Sequence, residues 1–146
     1  MIRTERRLRI CTALILLLLI FIWGNSLMPA KISHTFSQWL KQLLIPFLPE
    51  GSPVTEEGSG LLRKLAHFVE FTCLGICLAW RSGMLRKKYP RTFLSGVAAA
   101  ALDEVIQIFV PDRFSSVKDV LLDSCGVLTG ILLIVLGHTL LKKRTF

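Results

Sequence analysis

The sequence contains little charge for its length and no motif that by itself defines a reaction. Only 19% of its 146 residues are charged, whereas 52% are hydrophobic, and the mean hydropathy is +0.57. This composition excludes a typical soluble domain and indicates a small integral membrane protein. The chain has no internal repeat and no low-complexity tract, and its length allows a single domain, residues 1–146.

The cysteines lack the spacing of a metal site. Cys73 and Cys77 are one helical turn apart, where a disulfide is geometrically poor. Every cysteine lies inside an apolar stretch: Cys11, Cys73, Cys77 and Cys125. We therefore expect these thiols to pack as small apolar side chains, and they do not indicate a redox compartment.

Four apolar stretches are candidates for membrane spans, each of which needs about 20 mostly apolar residues. They cover residues 8–28, 61–80, 92–110 and 117–141. They predict an all-α fold, an integral membrane four-helix bundle. The first stretch also has the basic start of a signal peptide, but Met28-Pro29-Ala30 lacks a small residue at its first position. We therefore expect it to remain as an uncleaved anchor.

The formal net charge of +8 could suggest a nucleic-acid partner, but the positions of the charges argue against one. Basic residues concentrate at both termini and in the loop between spans two and three: Arg3, Arg6, Arg7, Arg9, Arg81, Arg86, Lys87, Lys88, Arg91, Lys142, Lys143 and Arg144. The other loops contain acidic residues, namely Glu50, Glu56, Glu57 and Asp112. With four spans, the positive-inside rule places both termini in the cytoplasm.

Residues 32–48 are too polar to span a membrane, yet their apolar residues recur near helical spacing. One interpretation is a short amphipathic helix between spans one and two that lies on the outer membrane surface, with Trp39 at the interface. The other is an ordinary packed loop helix. The sequence leaves both open.

Polar and ionisable residues collect at the outer ends of three predicted spans. They are Lys64, His67, Glu70, Asp103, Glu104, Gln107, Asp119 and Asp123. Because an ionisable group at membrane depth costs about 2.5–3.5 kcal/mol even on a lenient scale, such a cluster needs mutual pairing, a function, or both. Arg113, in the turn before span four, would cap the cluster, with Arg63 and Lys118 at its rim. The structural alternative is a buried network that only fixes helix packing.

The fourth span carries a stripe of residues spaced by four, three and four: Asp119, Asp123, Gly126 and Gly130. The two glycines would let another backbone approach closely, so we expect the stripe to face the second or third span. It could instead serve a homodimer. Ser116 is predicted to be the N-cap of this helix.

The residue types in the cluster suit work on a phosphate-bearing ligand. Lys64 and Arg113 would bind phosphate, with Arg113 as a bidentate fork, and His67 would shuttle a proton. One acid would orient His67 or act as base: Glu70, Asp103 or Glu104. The acids outnumber the nearby cations, so we expect that not all of them are ionised together unless a cation binds. Carboxylate-rich ligation would favour Mg²⁺, Ca²⁺ or Mn²⁺, with the ligands drawn from His67, Asp103, Glu104, Asp119 and Asp123. The sequence requires no cofactor.

Three segments together resemble the motifs of VanZ-like membrane proteins. Residues 63–71 (RKLAHFVEF) resemble R-K-x-x-H-F-x-E-(F/Y), and residues 103–107 (DEVIQ) resemble D-E-x-x-Q. Residues 111–126 resemble P-x-R-x-x-S-x-x-D-x-x-x-(N/D)-x-x-G. Order and spacing match from residue 61 to residue 130. Asp123 stands where the family often has Asn, which adds a negative charge here.

The resemblance implies that the protein is an accessory factor that lowers susceptibility to the glycopeptide antibiotic teicoplanin. It also implies a location in the inner membrane of a bacterium. The candidate catalytic residues are those of the polar cluster: Lys64, His67, Glu70, Asp103, Glu104, Gln107, Arg113, Asp119 and Asp123. Candidate substrate-binding residues are Lys64, Arg113 and Ser116. Some relatives carry a phosphotransbutyrylase label, but nothing in this sequence supplies the nucleotide pocket that such an enzyme needs.

Two functions of different classes follow, and the sequence does not decide whether the protein is an enzyme. In the first, the outer-leaflet cluster processes or binds a membrane lipid or a lipid-linked cell-wall precursor. In the second, the protein binds the lipoglycopeptide antibiotic or masks its target without catalysis, and residues 32–48 provide an apolar shelf. Transport has less support, because four short spans in one copy make a poor pathway.

Overall fold

This computed structural model describes residues 2–47, 59–84 and 89–143, which are helical apart from short turns. The helices are α1 (Ile2–Ser26), α2 (Ala30–Leu44), a 3₁₀ turn (Ile45–Phe47), α3 (Ser59–Met84), α4 (Tyr89–Ile108) and α5 (Val117–Lys143). The all-α prediction is confirmed over these residues. Several charges used to predict topology lie outside them: Glu50, Glu56, Glu57, Arg86, Lys87, Lys88 and Arg144.

The predicted spans correspond to α1, α3, α4 and α5, with shifted ends. α3 runs from Ser59 to Met84 rather than over residues 61–80, because the helix continues past its apolar run into polar residues. α4 ends at Ile108 rather than at residue 110. There the chain tightens into i→i+3 bonds, such as Val110 N–H to the Gln107 carbonyl at 3.1 Å, before Pro111.

Two helices are long and apolar enough to cross a membrane, over Thr4–Ser26 of α1 and Val117–Leu141 of α5. The helices α3 and α4, which hold most of the ionisable cluster, do not meet that criterion within the described residues. The structure therefore establishes the helical bundle and two membrane-capable helices.

The α3–α5 contact is the closest in the bundle and depends on glycine. A methyl group at Gly126 would lie 2.6 Å from the Phe68 carbonyl oxygen, and one at Gly130 would overlap the Thr72 carbonyl oxygen. On α3, Gly75 likewise faces the backbone of Val127. The glycine stripe is expected to face the second or third predicted span, and it faces α3, which corresponds to the second. The core, which includes the fully buried Phe71, is built around this contact.

The other helices enclose this pair. α1 packs on α3 and α4, and Ile22 of α1 is fully buried. α2 follows Pro29, where it starts with a bond from Ile32 N–H to the Pro29 carbonyl at 3.0 Å, and packs on α3. The predicted helix over residues 32–48 is thus observed over Ala30–Leu44, and residue 48 lies outside the described part.

The alternation of helix direction brings four helix ends together. The C-terminal ends of α1 and α4 and the N-terminal ends of α3 and α5 meet at one end of the bundle, as contacts among their side chains show. We call this the polar end. The turn that joins α4 to α5 closes over it, and there Asp112 adopts a positive φ of 60°, a conformation that Asp tolerates better than most residues.

Candidate functional site

Asp103 lies at the centre of the polar end. Its side chain is fully buried, and its Oδ2 accepts hydrogen bonds from Ser26 Oγ at 2.8 Å and from Gln107 Nε2 at 3.0 Å. His67 Nδ1 is 3.8 Å from the same oxygen, which is too long for a hydrogen bond. Asp103 thus links α4 to α1 and lies beside His67 of α3. Its other oxygen, Oδ1, is buried without a described partner.

Both carboxylate oxygens of Glu104 accept hydrogen bonds from neighbouring residues. Its Oε2 accepts the backbone N–H of Ser116 at 2.7 Å, and Gln107 Nε2 lies 3.3 Å from its Oε1. The Ser116 hydroxyl accepts the backbone N–H of Lys118 at 3.2 Å, so the N-cap prediction for Ser116 is confirmed. The end of α4 is therefore fastened to the start of α5.

Arg113 fastens the turn to α1. Its Nε donates to the Met28 carbonyl at 3.0 Å, and its Nη2 donates to the Asn25 carbonyl at 3.0 Å. Asn25 belongs to the last turn of α1 and Met28 follows the helix, so these carbonyls lie where regular helical partners run out. The Asn25 carbonyl also accepts the Met28 N–H at 3.2 Å. Burial, followed by the nearby Arg63 charge, lowers the pKa of Arg113 from its ordinary value. Nη1 is buried without a described partner, and a guanidinium has five N–H groups in all, so Arg113 could donate to a phosphate while it keeps these two carbonyl bonds.

Two further contacts mark the inner and outer edges of the site. On the inner edge, Asn25 Nδ2 donates to Glu70 Oε1 at 3.1 Å, while Glu70 Oε2 is buried without a described partner. On the outer edge, Lys64 Nζ is 3.5 Å from Asp119 Oδ1, with the Lys64 side chain 51% exposed. Lys64 is thus a rim cation that remains accessible.

Two cavities meet at His67. The larger, about 330 Å³, lies between α1, α2 and α3. Its walls include Phe21, Ile32, Leu62 and Ala66, and its polar groups are Asn25, Arg63, His67, Glu70 and Arg113. The smaller, about 20 Å³, is bordered by His67, Lys64, Asp119 and Asp123, and it has room for about one water molecule. We call the larger space the lipid-sized cavity.

Three side chains are arranged so that they could hold a metal ion. His67, Asp103 and Asp123 each offer one ligand atom, and these atoms lie within 4.8 Å of one another. Glu104 and Asp119, which the sequence also suggested as ligands, lie nearby but are bonded to Ser116 and Lys64 respectively.

The structure places every candidate residue from the sequence at the polar end, but their chemical roles stay predictions. Sequence reasoning did not select Asn25 and Ser26, although Ser26 is fully buried against Asp103. The available signal was a pair of polar residues closing an apolar span just before Pro29. Their partners are remote in sequence, so the pattern alone could not show that they join the site.

Comparison with known protein families identifies a match over most of the chain. A family model described as VanZ/LLP1 matches residues 11–140, which include about two thirds of α1, all of α2, α3 and α4, and most of α5. No curated protein and no solved structure matches the chain.

Proposed function

The chain belongs to the VanZ/LLP1 family, and from this premise we propose that it is a four-span protein of the bacterial inner membrane whose polar end binds or processes an envelope lipid. Family membership associates the chain with glycopeptide resistance. The lipid-sized cavity carries the proposal, because it combines an apolar body with a polar end of the kind that an amphiphile requires.

The outward faces of the helices support four spans. Large apolar side chains are exposed on each of α1, α3, α4 and α5, including Ile20 (68%), Val69 (57%), Leu94 (68%) and Leu140 (64%). A soluble protein rarely exposes apolar surface all around its circumference. Lipid is the natural cover for it, even on α3 and α4, because their ionisable residues gather at the polar end.

The distribution of basic residues along the sequence supports the predicted orientation. Twelve of the 18 Lys and Arg residues belong to the two termini and to the connection between α3 and α4 with its adjoining helix ends, and six belong to α2 and the polar end, namely Lys31, Lys41, Arg63, Lys64, Arg113 and Lys118. By the positive-inside rule, the more basic end of the bundle faces the cytoplasm and the polar end faces outward. A ligand in the lipid-sized cavity would then come from the outer leaflet or the cell wall.

The cavity has the size and polarity of a small-molecule site. A volume of about 330 Å³ lies within the usual range of about 300–1,000 Å³ for such sites. Arg63 and Arg113 border it and Lys64 lies just beyond, so a phosphate headgroup would meet cations while its acyl chain lay against Phe21 and Ile32. A lipid or lipid-linked cell-wall precursor has this chemistry.

Catalysis would centre on His67, since it borders both the lipid-sized cavity and the water-sized recess. An imidazole in that position can transfer a proton between a bound headgroup and a water molecule. Glu70, whose Oε2 has no described partner, faces the same cavity. These positions favour processing over binding alone.

A non-enzymatic masking function is supported by one different observation. On α2, Ile32, Trp39 and Leu43 are each more than half exposed, and their spacing of seven and four places them on one helix face. This apolar face could lie in the membrane surface or hold the acyl chain of a lipoglycopeptide antibiotic.

The experiment compares two substitutions on neighbouring residues of α3. Ala66→Phe would fill the lipid-sized cavity, whereas Leu65→Phe enlarges a side chain that is exposed and does not border it. In a strain that lacks the gene, we expect one envelope lipid to change in abundance by lipidomics. Wild type and Leu65→Phe should restore it, and Ala66→Phe should not. Equal restoration by both variants, at equal expression, contradicts the proposal.

A second variant separates processing from binding. Glu70→Gln keeps the shape of the side chain but removes its charge. If the site is catalytic, the variant should copurify with the same lipid as wild type yet fail to restore the lipid profile. If Glu70→Gln restores both the profile and teicoplanin susceptibility to wild-type values, the masking function is the better account.

A further inference from the structure

Three neighbouring residues of the polar end each have a buried side-chain atom without a described hydrogen-bond partner. These atoms are His67 Nδ1, Asp103 Oδ1 and Asp123 Oδ1. Asp103 is 0% exposed and Asp123 is 1% exposed, so bulk water does not reach these carboxylates. Buried polar atoms in folded proteins nearly always have a partner, and one that lacks it calls for a water molecule or an ion.

The ligand atoms are also close enough to share a single ion. Donor atoms of these residues lie within 4.8 Å of one another. Two ligands on opposite sides of an ion with bonds of about 2.2 Å are roughly 4.4 Å apart. An ion at the centre of the three atoms would lie no more than about 2.8 Å from each of them, so shifts of about half an ångström would bring all three to bonding distance.

Neither of these two acids has a lysine or arginine partner in the described structure. No lysine or arginine within the described segments forms an ion pair with Asp103 or Asp123, since Lys64 pairs with Asp119 and Arg113 donates to carbonyl groups. The nearest positively ionisable group to Asp103 is His67, at 3.8 Å. A buried pair of carboxylates in this situation needs a proton or a cation.

We infer that His67, Asp103 and Asp123 bind one divalent transition-metal cation between α3, α4 and α5. Two carboxylates and one imidazole suit Mn²⁺, because it accepts the oxygen ligands that Mg²⁺ and Ca²⁺ prefer together with a nitrogen ligand. Ca²⁺ would require more oxygen ligands than this site offers. Three protein ligands leave coordination positions open, as catalytic metal sites do.

The position of the site suggests what the ion would do. This role rests on the proposed lipid function. His67 borders both the lipid-sized cavity and the water-sized recess, and Asp123 borders the recess. An ion held by these residues could bind a phosphate oxygen of a headgroup on one side and a water molecule on the other. Binding of the metal itself can be measured without any lipid.

The test uses two aspartates one helical turn apart on α5. The full chain, purified in detergent and treated with a chelator, is titrated with Mn²⁺ while electron paramagnetic resonance measures the free ion. Wild type should bind one Mn²⁺ per chain. Asp123→Asn should weaken binding by at least about tenfold, as loss of even an indirect metal contact does. The matched control Asp119→Asn should bind like wild type, because Asp119 pairs with Lys64.

Thermal unfolding separates lost binding from lost structure. Mn²⁺ should raise the melting temperature of wild type and of Asp119→Asn but not that of Asp123→Asn. Metal-free Asp123→Asn should melt at or above wild type, since it lacks one buried charge. If it is misfolded instead, His67→Gln replaces it in the same titration, with the same expected loss.

Two results would overturn the inference. One is a wild-type chain that binds no divalent ion in the titration and contains none by elemental analysis as purified. The other is equal weakening by Asp123→Asn and Asp119→Asn, which would indicate a diffuse acidic surface. In either case the lipid function still stands if Ala66→Phe, unlike Leu65→Phe, fails to restore the lipid profile.

Discussion

In the middle of the bundle, α3 and α5 approach through Gly75, Gly126 and Gly130 until backbone touches backbone. One to two turns away, the same helices present His67 and Asp123 to each other with polar atoms left unpartnered in the described structure. The glycine contact uses its residues for packing alone. At the polar end, buried polar atoms lack hydrogen-bond partners, which lowers the stability of the folded chain. Such an arrangement is common at functional sites.

The glycine contact and the polar end are expected to contribute differently, the first to stability and the second to function. Each buried polar group without a partner costs about 1–3 kcal/mol, and the polar end contains several. The close contact below must hold the helices in place so that this cost does not separate them. Variants in the two regions should therefore differ in whether stability or function changes first.

The largest effect is expected from Gly130→Ala in the glycine contact. The added methyl group would overlap the Thr72 carbonyl oxygen and lie 2.7 Å from the Ile76 nitrogen. Because backbone atoms cannot move aside as side chains can, we expect a loss of about 3 kcal/mol, the upper end of overpacking effects. Thermal or denaturant unfolding in detergent measures it.

The control is Gly137→Ala on the same helix, where nothing lies within 4 Å of the added methyl group. It should leave stability unchanged or raise it by up to about 1 kcal/mol, since alanine favours helix. If both substitutions have the same effect, close approach at Gly130 does not stabilise the bundle, and the contrast between the two regions disappears.

A smaller loss of stability and a larger loss of function are expected from Ser26→Ala at the polar end. The Ser26 hydroxyl donates to Asp103 Oδ2 at 2.8 Å, so its removal deprives a buried carboxylate of one donor. We expect a loss of about 1–2 kcal/mol and failure to restore the lipid profile. Unfolding in detergent and lipidomics of the complemented strain provide the two measurements.

Ser95→Ala is the matched control, because the Ser95 hydroxyl is exposed and bonds only to its own helix, at the Thr92 carbonyl. It should change neither stability nor the lipid profile. A Ser26→Ala protein with full function and unchanged stability would show that the α1 contact with Asp103 is incidental to the site.

The same contrast explains what the sequence could predict. The glycine contact lies on one helix stripe, so spacing along α5 revealed it. The motif residues of α3, α4 and α5 could be assigned to one end of the bundle. They lie at the start of the second and fourth predicted spans and at the end of the third, and successive spans alternate in direction. The bonds that organise them could not be predicted, because Ser26–Asp103 and Arg113–Met28 join residues more than seventy positions apart. The cavity depends likewise on how α1 and α2 meet α3, which no local pattern specifies.

The smallest effect is expected where the polar end meets solvent, at the Lys64–Asp119 pair. The two groups are 3.5 Å apart and Lys64 is 51% exposed, so solvent screens their attraction. A double-mutant cycle of Lys64→Gln and Asp119→Asn should give a coupling free energy of about 0.2–1 kcal/mol.

The effects of the two single substitutions on function should differ. If Lys64 contacts the ligand headgroup, Lys64→Gln should impair the lipid profile, whereas Asp119→Asn, which leaves the ammonium group without its partner, should not. A coupling of several kcal/mol, or equal loss of function in both single variants, would mean that this pair is part of the buried network rather than an accessible cation at its rim.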